Sequence, residues 1–210
     1  MGAGRTRAAQ RYTNSVACRT RGQMKKDIRA QLEESAGLKR AIADTMVGEI
    51  ELAAKAIIAC YARGGKVLLC GNGGSAGDAQ HIAGEFVGRF LRERRAVPAI
   101  ALTTDSSILT AIGNDYGFDQ VFSRQAEAHV NDGDVFIGIS TSGNSANVLR
   151  AFEVAYERGA TTIALTGNDG GELARAADIA LTVPSTSTPR IQEAHIVIAH
   201  VLCDLAERAL

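Results

Sequence analysis

Several things are missing from this 210-residue chain. No run approaches the roughly 18 apolar residues that a membrane-spanning helix needs, so no membrane span is expected. There is no net charge: 23 Lys and Arg balance 23 Asp and Glu. The balance is uneven, however. Residues 1–26 hold seven basic residues and no acid, which leaves 16 basic against 23 acidic residues beyond them, a net of −7. A body of that sign is a poor match for nucleic acid or an anionic membrane, and neither is expected as a partner. The four cysteines, Cys18, Cys60, Cys70 and Cys203, show no paired spacing. Cys60, Cys70 and Cys203 sit in apolar runs and read as buried free thiols of a reducing, cytoplasmic compartment. Only four histidines are present, His81, His129, His195 and His200. There is no interdomain linker and no internal repeat beyond two similar turns.

Those two turns organise the chain. Val67–Cys70 reads as a short buried strand, followed by Gly71-Asn72-Gly73-Gly74-Ser75 and a helix expected over residues 76–90. A glycine turn between strand and helix lets backbone N–H groups approach an anion, and the helix N-terminus favours negative charge. No Gly-Lys-Ser/Thr follows, which excludes a nucleotide P-loop. Gly71, Gly73 and Ala76 fit a loose dinucleotide pattern, but no acidic residue stands clearly about 20 positions on. A tight turn without ligand would look much the same. The second turn, Ser140-Thr141-Ser142-Gly143-Asn144-Ser145, follows the apolar strand 134–139 and precedes a helix over 146–158. Its hydroxyls can hold a phosphate or a sugar without a fixed cation. Ser and Asn are also ordinary helix caps. Two such turns in one parallel sheet carry more weight, because ligands sit beyond the carboxyl ends of its strands.

The rest of the chain supplies the framework. Residues 1–23 read as a disordered basic extension, with an organellar targeting segment as the compositional alternative. Residues 24–210 then form a single domain. Helices are expected over 27–63, where Ile28, Leu32, Leu38, Ile42, Met46 and Ile50 recur at helical spacing. This N-terminal arm can pack on the core of its own chain or on a partner subunit. Further strands are expected at 98–102, 161–166 and 178–183. Short helical turns fall over 106–112, a turn cluster over 113–117, and helices over 119–129 and 191–209. Alternating strands and helices predict an α/β, doubly wound, five-stranded parallel sheet.

His81 and Glu85 stand four apart on the first turn's helix and share a face. The pair suits a metal or a proton-transfer site, though a surface hydrogen bond would need nothing more. The last helix carries Gln192, Glu193, His195 and His200 among apolar residues. Gln192 and His195 are three apart. His200 lies eight from Gln192, about 12 Å along the axis and about 80° round it. Spacing does not select between the two histidines.

The motifs GNGGS at 71–75, DAQHIAGEFVGRF at 78–90, AIGNDYGF at 111–118, GDVFIGISTSGNSANV at 133–148, LTGNDGG at 165–171 and RIQEAH at 190–195 are similar, in register, to those of the phosphoheptose isomerases of the sugar isomerase (SIS) domain family. The resemblance runs from about Met24 to the C-terminus. It implies a flavodoxin-like fold and a homotetramer with active sites at subunit interfaces. It implies substrate contacts from Asn72, Gly73, Gly74 and Ser75 in the first turn, and from Ser140, Thr141, Ser142 and Ser145 around the phosphate. Asn114 and Asp115 would line the sugar chain, and Glu85 and Gln192 also touch substrate. Glu85 matches the family's general base and His200 its acid–base partner. His81, Glu85, Gln192 and His200 match zinc ligands, so Zn²⁺ is the implied cofactor. His195 and His129 match no catalytic position. The loop 185–189 differs between branches of the family.

The implied reaction converts sedoheptulose 7-phosphate, a ketose, into the aldose D-glycero-D-manno-heptose 7-phosphate through an enediol. A related branch keeps the fold without catalysis and associates with the bacterial DNA-replication initiator. Thr103-Thr104-Asp105 and Cys203-Asp204-Leu205 resemble that branch as well. Glu85 and His200, both present, favour the enzyme.

Overall fold

A computed structural model of the chain describes residues 21–210. Residues 1–20, most of the expected basic extension, lie outside the described residues. Two compact units divide the chain, the first ending at Gly37 and the second running from Leu38 to Leu210. The described part of the first unit is helical, within α1 (Arg21–Thr45). Helix is thus present before Met24.

The second unit holds the remaining elements. α2 (Val47–Ala62) leads into β1 (Val67–Gly71), α3 (Gly74–Val87) and β2 (Ala99–Ala101). α4 (Ser106–Asp115), a 3₁₀ turn (Phe118–Gln120) and α5 (Ser123–His129) precede β3 (Val135–Ser140) and α6 (Ala146–Glu157). β4 (Thr161–Thr166), α7 (Gly171–Ala176), β5 (Ile179–Thr182) and α8 (Thr188–Glu207) complete the chain. The five strands form one parallel sheet in the order β2-β1-β3-β4-β5. This is the flavodoxin-like doubly wound arrangement, whose strand order reverses between β1 and β3.

Strand residues alternate between two cores, as a two-residue period requires. Val67 and Leu69, Val135, Ile137 and Ile139, and Ile163 and Leu165 face the core shared with α2, α3 and α8. Leu68, Cys70, Phe136 and Ala164 face the other, with α5 and α6. Both faces are covered, which explains why these strands read as continuous apolar runs. Asp134, 2% exposed, ties the start of β3 to β1. Its carboxylate accepts the Lys66 backbone N–H at 2.9 Å and the Lys66 Nζ at 2.6 Å.

Several boundaries differ from the sequence reading. α3 starts at Gly74 and stops at Val87, because Gly88 closes the last turn on the Gly84 carbonyl. Asn114 and Asp115 end α4 instead of sitting in a turn. The helix expected over 119–129 is split into a 3₁₀ turn and α5. α7, which begins at the last glycine of LTGNDGG, is an element that the sequence pattern does not announce; six residues are too few for a periodic signal. The apolar stripe that begins on α1 also divides. Ile42 on α1 and Met46, the cap residue between α1 and α2, are buried, whereas Ile28 and Leu32 are 54% and 66% exposed. Cys60, Cys70 and Cys203 are buried free thiols, as expected.

Candidate functional site

Both organising turns leave the carboxyl ends of β1 and β3, the two strands at the reversal of strand order. A crevice at this point is where doubly wound sheets bind ligands. The two turns are joined directly. The Asn72 and Asn147 side-chain amides exchange reciprocal hydrogen bonds of 2.8 and 2.9 Å. Asn147 is buried on the first turn of α6 and escaped the sequence reading. The only signal was an Asn just inside a helix start.

The Ser140–Ser145 turn is a compact set of hydroxyls. Ser140 Oγ lies 2.9 Å from Ser145 Oγ and 3.5 Å from Ser142 Oγ. Ser142 Oγ also accepts the Asn144 N–H. The stretch from Gly167 to Leu173 buttresses this turn. Asn168 Nδ2 donates to the Thr141 carbonyl at 3.0 Å, the Leu173 N–H donates to the Gly143 carbonyl at 2.9 Å, and the Glu172 N–H donates to Asn144 Oδ1 at 3.1 Å. Gly143 has φ +67°, and a Cβ there would run into the Gly170 carbonyl. Only glycine lets the two loops close on each other. The buttress shows in the sequence only as a second glycine cluster.

At the first turn, Gly73 enters α3 with φ +56°. Gly74 packs under the Gln192 amide, whose Nε2 would lie 2.6 Å from a Cβ at that position. Gln192, near the start of α8, is thereby set at the head of α3. Two turns further along α3, His81 and Glu85 meet His200 of α8. His81 Nε2 lies 3.2 Å from Glu85 Oε1 and 3.0 Å from His200 Nε2. Ligand atoms of His81, Glu85 and His200 fall within 4.8 Å of one another. Two imidazole nitrogens and a carboxylate oxygen form a donor set that suits zinc.

The choice that spacing leaves open between His195 and His200 has a geometric answer. His200 is half-buried beside His81 and Glu85. His195 is fully buried in the core, with Nε2 2.9 Å from the Thr166 carbonyl and Nδ1 without a partner. Burial pushes its pKa down to about 4, against the pull of that hydrogen bond, so it is a neutral Nε2–H donor at pH 7. Asp78, one turn before His81, has a buried, unpartnered Oδ2. Burial raises its pKa, while His81 acts the other way. Asn114 and Asp115 are exposed, with the Asn114 amide donating to Asp115 at 2.7 Å. Among the described residues, no hydrogen bond links them to the two turns or to the His–Glu–His cluster.

The fold and these two turns define a doubly wound α/β protein with a hydroxyl-rich turn at the reversal of its strand order. The sequence pattern of the SIS domain matches residues 31–167, and the chain belongs to the SIS domain family. Within it, the chain is 54% identical over 189 residues to a phosphoheptose isomerase of Sulfurimonas denitrificans, covering 89% of this chain and 97% of the relative. It is 57% identical over 184 residues to a phosphoheptose isomerase of Citrifermentans bemidjiense, covering 88% and 96%. The structure of a phosphoheptose isomerase from Neisseria gonorrhoeae superposes with a TM-score of 0.84 at 47% identity, over 88% of this chain and 99% of that one.

Proposed function

We propose that this chain is an aldose–ketose isomerase that converts sedoheptulose 7-phosphate into D-glycero-D-manno-heptose 7-phosphate. The observation that carries the chemistry is the meeting of Glu85 and His200 about His81, two helix turns beyond the Asn72–Ser75 turn.

The phosphate occupies the Ser140, Thr141, Ser142 and Ser145 hydroxyls at the head of α6, where the helix dipole also favours an anion. This remote handle fixes the reacting end of the sugar. Asn72, Gly73, Gly74, Ser75 and Gln192 line the other turn, and Asn114 and Asp115 the sugar chain. Glu85 removes a proton from C1 of the ketose. The C1–C2 double bond forms, and O2 takes a proton from His200. The O1 proton then returns to His200 as Glu85 delivers its proton to C2, leaving the aldehyde at C1. Protons balance, and both groups end as they began. His81, Glu85, Gln192 and His200 would hold zinc. When bound, that ion polarises the sugar carbonyl and stabilises charge on oxygen.

The working unit is a homotetramer with sites at subunit interfaces. Supporting this is an apolar groove of about 410 Å³ on the second unit, lined by residues including Val47, Val197 and Val201. Exposed Asn114 and Asp115 suit a shared site. Residues 24–210 act as one domain, with 1–23 as an extension, in the cytoplasm. Among the described residues, no helix is long and apolar enough to cross a membrane. Purified protein incubated with sedoheptulose 7-phosphate should form aldose. A folded preparation that forms none overturns the reading.

A further inference from the structure

The imidazole of His200 has a second aromatic neighbour that the proton-transfer scheme does not use. Phe90 stacks on it, with ring centroids 5.3 Å apart and planes inclined by 28°. Phe90 lies beyond the end of α3, in a segment without regular structure. A side chain on such a segment holds an orientation only if its backbone is fastened.

Here the fastening is unusually dense. Glu207, at the end of α8 and 4% exposed, accepts three consecutive backbone N–H groups. They come from Phe90, Leu91 and Arg92, each at 2.8 Å. Arg94, whose side chain is 6% exposed, places Nε 3.5 Å from the Glu207 carboxylate. Its Nη2 donates to the backbone carbonyl of Glu85 at 2.8 Å, and its Nη1 to the Gly88 carbonyl at 3.0 Å. Arg92 reaches Asp204 at 2.7 Å. Burial opposes ionisation of Glu207, but the three N–H donors and Arg94 prevail and hold its carboxyl below the usual range. An ionised carboxylate on convergent N–H groups makes the strong form of hydrogen bond. The clamp therefore joins the backbone at Glu85, the Phe90 segment and the end of the helix that carries His200.

We propose that Phe90 is a positioning residue of the isomerase site, held by the Glu207–Arg94 clamp so that its ring fixes the orientation of the His200 imidazole. This rests on the isomerase reading above. His200 must face oxygen atoms on two neighbouring carbons in turn, so a tilted ring would misplace the proton. Phe90 carries no group that could take up the transferred proton or bind a cation; it acts through His200.

The test compares Phe90→Leu, which keeps apolar bulk, with Phe90→Tyr, which keeps the ring. In Phe90→Leu, kcat should fall about 10- to 100-fold, the cost of small misplacement, with KM within about twofold. Phe90→Tyr should restore kcat. The second readout needs no turnover. A stacked ring shifts protons over its face upfield, so the His200 ring-proton resonances of metal-free protein should move downfield in Phe90→Leu and return in Phe90→Tyr. Equal kcat in the two variants, or a His200 resonance that stays put, overturns the proposal. Should Phe90→Leu not fold, Glu207→Gln decides: lowered kcat with a moved His200 resonance supports the clamp, and no change in both overturns it. Should wild-type protein fail to turn over sedoheptulose 7-phosphate, the isomerase reading falls, and the His200 resonance still decides whether Phe90 orients that ring.

Discussion

His81 Nε2 and His200 Nε2 lie 3.0 Å apart although 119 positions separate them in the chain. One sits on α3 and the other on α8, and Glu85 approaches the same point at 3.2 Å from His81. The reacting end of the proposed site is therefore built by packing one helix against another.

His200→Asn should lower turnover by about 10²–10⁴-fold, the usual worth of general acid–base catalysis. Glu85→Gln should do the same, and should abolish solvent deuterium incorporation at C2 of the aldose. His195→Asn should instead leave kcat nearly intact in whatever fraction folds. It should lower stability by about 1–3 kcal/mol, because it breaks a buried hydrogen bond. Activity lost in His195→Asn but kept in His200→Asn would reverse the assignment. Kinetics and thermal melts on the three variants make the comparison.

Ser142→Ala combined with Ser145→Ala removes two hydroxyls of the proposed phosphate turn. KM for the phosphosugar should rise by about tenfold or more, since each charge-assisted hydrogen bond is worth about 1.5–3 kcal/mol. Sulfate should also stabilise the wild type against heat more than the variant. An unchanged KM would remove the turn from phosphate binding.

Gly143→Ala tests the buttress. The left-handed backbone and the closeness of the Gly170 carbonyl leave no place for a methyl group. The loops should part, raising KM for the phosphosugar while the His81–Glu85–His200 end stays intact. Zinc affinity measured by competition with a chelator should then be unaltered. A variant with wild-type KM would show that the loops can separate without consequence.

His195 makes stability depend on pH. Its folded pKa of about 4 lies below the unfolded value of 6.5. Between these values the unfolded chain takes up a proton that the native core refuses. Stability from this group is therefore complete above 6.5 and falls as pH drops toward 4, by about 1.4 kcal/mol per unit. Urea titrations at pH 7 and pH 5 should show a smaller loss in His195→Gln than in the wild type. Equal losses would show that His195 is not held neutral.

Removal of zinc offers a last check. A chelator should reduce turnover, and added Zn²⁺ should restore it. In His81→Ala, zinc affinity should fall by at least about tenfold, as expected when one of a few ligands is lost. Wild-type affinity in that variant would exclude His81 as a ligand.

Much of this protein is legible in one dimension. Strand β4 has the bounds that TTIALT suggests, because a strand buried on both faces is rich in apolar and β-branched residues and stops where glycine begins. Gly71–Ser75 and Ser140–Ser145 declare themselves because turns need particular residues at adjacent positions. His81 and Glu85 pair by helical spacing alone. Tertiary structure decided what adjacency cannot encode. His195 and His200 share one helix and similar neighbours, yet α8 buries the first against Thr166 and turns the second toward α3. Asn147 looks like any residue of a helix start until β1 and β3 pair and bring Asn72 beside it. Glu207 looks like a terminal surface acid until the segment after α3 folds over it with three N–H groups. Local periodicity sets which face of an element is apolar. Contacts between distant elements arise only when those faces are buried together, and the site lies where they meet.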